Sequence, residues 1–120
     1  MIIISPPAMQ ALDDEAWRKT AAWLDDALPA AAQDDAELRT RLQAIDAGGR
    51  RHLVDHSVAA ARGAGFRMRE DVLALACLLL RHGPDVDHGP LAEKSLDPAE
   101  RLAIMDDRAR MRIARPVPPR

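Results

Sequence analysis

Wound at 100° per residue, the apolar positions of the first thirty residues fall into two neighbouring stripes. Met9, Leu12, Ala16, Trp23 and Ala27 form one, Trp17, Ala21, Leu24 and Leu28 the other, and Glu15, Arg18, Lys19 and Asp26 hold the opposite side. Together the stripes cover roughly half the circumference, wider than the ~100° band of a simple surface helix. The pattern predicts a helix packed on two neighbours, with a partner facing the Trp17 stripe as the alternative. Ser5 followed by Pro6 is a start signal: the serine caps free amides, and proline at the first helical position gives up no hydrogen bond. Pro29 predicts an end near Leu28.

Asp34 or Asp35 then opens a shorter helix with Leu38, Leu42 and Ile45 on one face, expected to stop at the Gly48-Gly49 pair. The next helix is expected from about Arg50 to Arg62. It closes in "GAG", where Gly63 or Gly65 supplies a left-handed residue and Phe66 the apolar contact across the cap. From Val72 to Leu80 the chain is apolar nearly all round, as a central helix is, and Gly83 and Pro84 end it. "LDPAERLAIM" carries the clearest start signal, with Asp97 as the cap, Pro98 at the first position and Glu100 at the third. Leu102, Met105, Ala109 and Ile113 make the core stripe of this last helix, while Ile104 and Met111 point away from it. Arg108, Arg110 and Arg112 suit its negative end. The prediction is an all-α fold, a compact bundle of four or five helices with short connections. It forms one domain over 1–114, followed by a flexible proline-rich tail at 115–120.

Composition narrows the picture. A length of 120 residues suits a single core, and 48% hydrophobic with 30% charged residues is ordinary for a globular chain. Aromatics make up only 2%, so the core is built from aliphatic side chains and alanine, which favours helix over strand. A net charge of −2 argues against a phosphate-backbone partner, and nucleic acid is not expected. Cys77 is the one cysteine and lies in the most apolar stretch, so a buried thiol in a reducing compartment is expected rather than a nucleophile. "MIIISPP" has no basic leader and no segment reaches spanning length, which predicts a cytoplasmic chain without a membrane partner.

Candidate chemistry is confined to two polar clusters, "RHLVDH" at 51–56 and "HGPDVDH" at 82–88. His52 and His56 are four apart on one helix, the spacing that lets two imidazoles reach one ion. H-x-x-D-H parallels the inverted zinc-protease pattern H-x-x-E-H, with an aspartate that is one methylene shorter. An antiparallel turn at "GAGFRM" would bring the end of the central helix near the start of the helix before it. His82, Asp85 and His88 are therefore the other metal candidates. The expected setting is plainer: His52 and His56 on a solvated strip with Asp55, Arg81 and His82 at a helix C-terminus, and Asp85 and Asp87 as turn residues. No bound metal and no cofactor is expected, since no cysteine or glutamate cluster reinforces the histidines and no glycine loop cradles a phosphate. Ser57 and Cys77 lack an oxyanion loop, so nucleophilic catalysis is not expected either.

"MIIISPPAMQAL", "AAARGAGFRMREDVLALACLLLRHGPDVD" and "LDPAERLAIM", in that order, resemble a family of small helical bacterial proteins encoded beside type VI secretion spike and effector genes. That family usually has serine or threonine where Met68 stands and aromatics where Val86 and Leu91 stand. The resemblance implies a protein partner, a secreted effector toxin or its delivery spike, and supplies no catalytic residues. The expected function is non-enzymatic binding of such an effector, as adaptor and chaperone or as immunity protein. A metal-dependent hydrolase built on the His/Asp cluster is the alternative. Trp17, Ile104 and Met111 are the expected apolar anchors for the partner or for a second copy of this chain, and Asp85, Asp87 and His88 the expected charged ones.

Overall fold

The computed structural model describes the backbone of residues 6–114 and the side chains of 13–111. The expected Ser5 cap, the Met9, Leu12 and Ile113 stripe positions, and the proline-rich tail at 115–120 lie outside those residues. Five α-helices follow one another: α1 Pro6–Ala32, α2 Ala36–Ala44, α3 Ala47–Gly63, α4 Arg69–His82 and α5 Pro98–Ala114, with a 3-10 turn at Gly89–Ala92 before α5. The described residues contain no strand, and none of their helices is long and apolar enough to cross a membrane. The architecture is the expected all-α bundle, with short connections.

α4 is the axis of the bundle and touches every other α-helix. Val72, Leu75, Ala76, Leu78, Leu79 and Leu80 are all buried, with Leu73 and Cys77 half-buried and Ala74 exposed, so the apolar pattern is used over most of the circumference. α3 enters α4 through a tight turn. Gly65 adopts φ +81°, the Phe66 amide donates to the Ala61 carbonyl at 2.9 Å and the Gly65 amide to Arg62 at 3.2 Å. This is a Schellman cap, with buried Phe66 and Ala61 in the same core cluster. Of the two candidate glycines, Gly65 is the left-handed one.

α1 lies antiparallel to α3. Arg50, near the start of α3, bonds Asp25 at 2.8 Å, and Arg62, near its end, bonds Asp13 at 2.8 Å and Asp14 at 2.5 Å. Two sequence expectations are corrected in this pair. α1 does not stop at Leu28 but runs through Pro29 to Ala32. Proline removes the amide that would donate to the carbonyl four residues back, Asp25, and the Arg50 guanidinium donates to that carbonyl instead. Burial of Leu28 and Ala32 on either side of the proline holds the last turn in place. Gly48 and Gly49, expected to terminate α2, belong to the first turn of α3: Asp46 accepts from the Gly49 amide at 2.7 Å and caps that helix. α2 itself starts at the Asp35 cap, which accepts from Leu38 at 3.1 Å.

At α5 the Asp97 carboxylate accepts from the Glu100 amide at 2.9 Å, as the D-x-x-E spacing predicts. The Asp97 charge, with a hydrogen bond between the two carboxyls, pushes the Glu100 carboxyl up. Leu102, Met105 and Ala109 face the core, as expected.

Candidate functional site

Because the α3–α4 turn reverses the chain, the end of α4 returns to the middle of α3, and the loop after Gly83 folds back over it. That loop sets His88 against His56. The two Nε2 atoms are 3.2 Å apart and the rings meet edge to face with centroids 5.3 Å apart. His52, one turn earlier on α3, stacks on His56 with centroids 6.2 Å apart. The Val86 carbonyl holds His88 Nδ1 at 2.6 Å. A carbonyl only accepts, so the proton of neutral His88 sits on Nδ1 and its Nε2 lone pair faces His56. With both rings neutral, His56 Nε2–H is the donor between them. Burial, reinforced by His88 and then His52, holds His56 below its ordinary pKa.

The solvated strip expected on α3 is therefore only partly present. His52 and Asp55 are exposed, while His56 is half-buried beneath the returning loop. His82 is not part of the trio. Its ring turns to α5, where Nε2 meets Asp106 at 2.6 Å, and Asp106 also accepts from Arg110 at 2.9 Å. Burial alone would raise the Asp106 carboxyl, but the bonds from His82 and Arg110 outweigh it and hold the group below the usual carboxylate range. Among the described residues no three His, Cys, Asp or Glu side chains converge as a metal-holding group. A cleft of about 190 Å³ beside the pair is lined by His52 and His56 with Ile45, Leu53, Leu79, Leu80 and Pro84.

Asp87 and Asp85 are exposed on the same loop. Asp87 accepts from the Gly89 amide at 2.9 Å and from Arg108 at 3.0 Å. The Gly89 bond foremost, joined by Arg108, holds its carboxyl low against desolvation. Arg108 thereby ties the loop to α5 beside Ile104 and Met111, which share one face with it at positions 104, 108 and 111. Met111 is 49% exposed and Ile104 half-buried.

Trp17 lies on the side of α1 that packs on its two neighbours, the leading expectation for this helix. The stripe it shares with Ala21, Leu24 and Leu28 is the core face of α1: Leu24 and Leu28 are fully buried, and Trp17 packs against the core half-buried. α1 turns this face inward because it lies across both α3 and α4, and Trp17 then meets Phe66 and Val72 in one shallow cleft. Of the other stripe, Ala16 is exposed, and Trp23 is half-buried with the Arg69 guanidinium 4.9 Å from its ring centroid.

Three features of named residues escaped the sequence reading. Arg101 is only 7% exposed and donates to the carbonyls of Leu96 at 2.8 Å, Ala64 at 2.9 Å and Leu91 at 3.3 Å. Its place four residues before Met105 and eight before Ala109 was a legible signal of a core-facing position. Met68 is the N-cap of α4, makes no side-chain cap bond and is 59% exposed. The sequence placed Arg108 at a helix C-terminus, but its bond to Asp87 left no local signal, since the two are 21 residues apart. The two candidate nucleophiles are occupied: Ser57 is fully buried and donates to the Leu53 carbonyl at 2.7 Å, and burial pushes the half-buried Cys77 thiol up. Comparison with protein families, with characterised proteins and with solved structures yields no match to this chain.

Proposed function

We propose that this chain is a cytoplasmic, non-enzymatic binding protein that holds a secreted effector of the type VI secretion class. The observation that carries the reading is the α5 surface, where Met111 stands 49% exposed in line with Ile104 and Arg108. Large apolar side chains framed by charge are the usual centre of a protein interface, and methionine adapts its shape to a partner. The acidic loop is a weaker anchor, because Asp87 is already engaged by Arg108 and the Gly89 amide. That difference favours an adaptor gripping an apolar segment over an immunity protein plugging a basic cleft. The resemblance in sequence order supplies the class of partner.

The test is co-expression of the full chain with the effector encoded beside it, followed by titration calorimetry of the purified pair. Met111→Asp and Ile104→Asp are expected to weaken the complex by more than about 1 kcal/mol while circular dichroism stays unchanged. Absence of a complex, or a complex indifferent to both substitutions, overturns the proposal. A concentration-dependent dimer broken by Met111→Asp in the absence of effector would assign the same surface to a second copy of the chain, and overturns it too.

A further inference from the structure

We propose that His56 and His88 together bind one divalent transition-metal ion of the zinc, copper or nickel class, joining α3 to the loop that follows α4. Two imidazole nitrogens on a tetrahedral ion, each roughly 2.0–2.1 Å from it, stand roughly 3.3 Å apart. The Nε2 atoms of His56 and His88 are 3.2 Å apart without any rearrangement of the backbone. The His88 ring is already aimed: its Nδ1–H is held by the Val86 carbonyl at 2.6 Å, the support that orients most metal-bound imidazoles and leaves Nε2 free to ligate.

His56 is suited to the same task. It lies half-buried on α3 with its Nε2 turned to His88, so the two ring nitrogens meet at one point. In the metal-free chain its Nε2–H points at His88. Binding moves that proton to Nδ1 by solvent exchange, with no net change in protonation, and the ion sits to one side of the line between the two nitrogens, roughly 2.0–2.1 Å from each. A cleft of about 190 Å³ lined by His52 and His56 lies on the His56 side of the pair. Neutral imidazoles select zinc, copper and nickel over magnesium and calcium, which require oxygen ligands. The bound ion would pin the loop carrying Asp85 and Asp87, and it stands independently of the proposed effector partner.

The experiment uses tag-free, chelator-stripped full chain titrated with zinc by calorimetry. One ion per chain is expected, with affinity falling at least roughly tenfold in His56→Gln and in His88→Gln. His82→Gln, whose parent ring is held by Asp106, is expected to bind as the original chain does. Copper loaded onto the unsubstituted chain provides a readout that no folding defect can confuse: its paramagnetic resonance spectrum should show nitrogen coupling from two imidazoles. No saturable binding, binding that survives both substitutions, or a copper spectrum with fewer than two imidazole nitrogens overturns the proposal.

Discussion

Arg101 puts a guanidinium against the ring of Phe66, 5.7 Å from its centroid, and joins three separate pieces of backbone. Its acceptors belong to the turn after α3, the 3-10 turn and the segment leading into α5, so one side chain satisfies carbonyls that no helix amide reaches. Truncation would leave those acceptors without their donor in a region water enters poorly. Arg101→Ala is expected to lower unfolding stability by about 2–4 kcal/mol, because bonds from a charged donor are worth more than neutral ones. Arg101→Lys should recover only part, since an ammonium cannot span three carbonyls as a planar fork does. Urea unfolding of both variants tests this, and a loss under about 1 kcal/mol in the alanine variant would contradict it. Legibility at this scale was uneven. Asp97 announced its role through its neighbours in sequence, whereas the spacing of Arg101 showed that it faced the core but not which carbonyls it meets, Ala64 being 37 residues away.

Local chemistry explains most helix ends. Asp35, Asp46 and Asp97 each accept from an amide three residues on, and all three helices begin where those bonds form. Asp97→Ala should therefore cost about 0.5–2 kcal/mol in a chemical melt, while Asp97→Asn should be close to neutral. An alanine variant as stable as the original would show that α5 is held by packing alone. The two boundaries misjudged from sequence share a cause. Pro29 and the Gly48-Gly49 pair are strong local stop signals, but each sits where another group intervenes. Arg50 takes the carbonyl that Pro29 leaves without a donor, and Asp46 captures the Gly49 amide and turns a glycine pair into a helix start. The first of these partners is 25 residues away from the carbonyl it satisfies, beyond any window of local propensity.

For the molecule as a whole, the returning loop creates a dependence on pH. His56 lies half-buried against His88 and His52, and burial foremost, then these two rings, lower its pKa. Its folded pKa lies below the ordinary 6.5, so between the two values the unfolded chain binds more protons. Stability is thus fully present above about 6.5 and declines as the pH falls through the folded pKa. Asp106 adds a second loss at lower pH: its depressed carboxyl contributes above its ordinary 3.8 and ceases to as the pH falls through the folded value. Urea midpoints measured with chelator present from about pH 7.5 to about pH 5 should fall in the original chain and flatten in His56→Gln. An equal slope in both would place the upper transition elsewhere.

Helix content, the central place of α4, the Asp97 start and the core stripe of α5 were determined by the sequence alone, because hydrophobic period and capping chemistry act within a few residues. The stripe of α1 that faces inward was decided only when α1 lay across α3 and α4, since two apolar stripes on one helix are equivalent until neighbours choose between them. The histidines divide in the same way. Their spacing on α3 was legible, but the pairing of His56 with His88 arises from the chain reversal at Gly65, and the diversion of His82 to Asp106 and the anchoring of Asp87 by Arg108 arise from the packing of α5 back against α4 and its following loop. Such contacts join residues 21 to 32 positions apart, and only a packed tertiary structure brings groups that distant within bonding range.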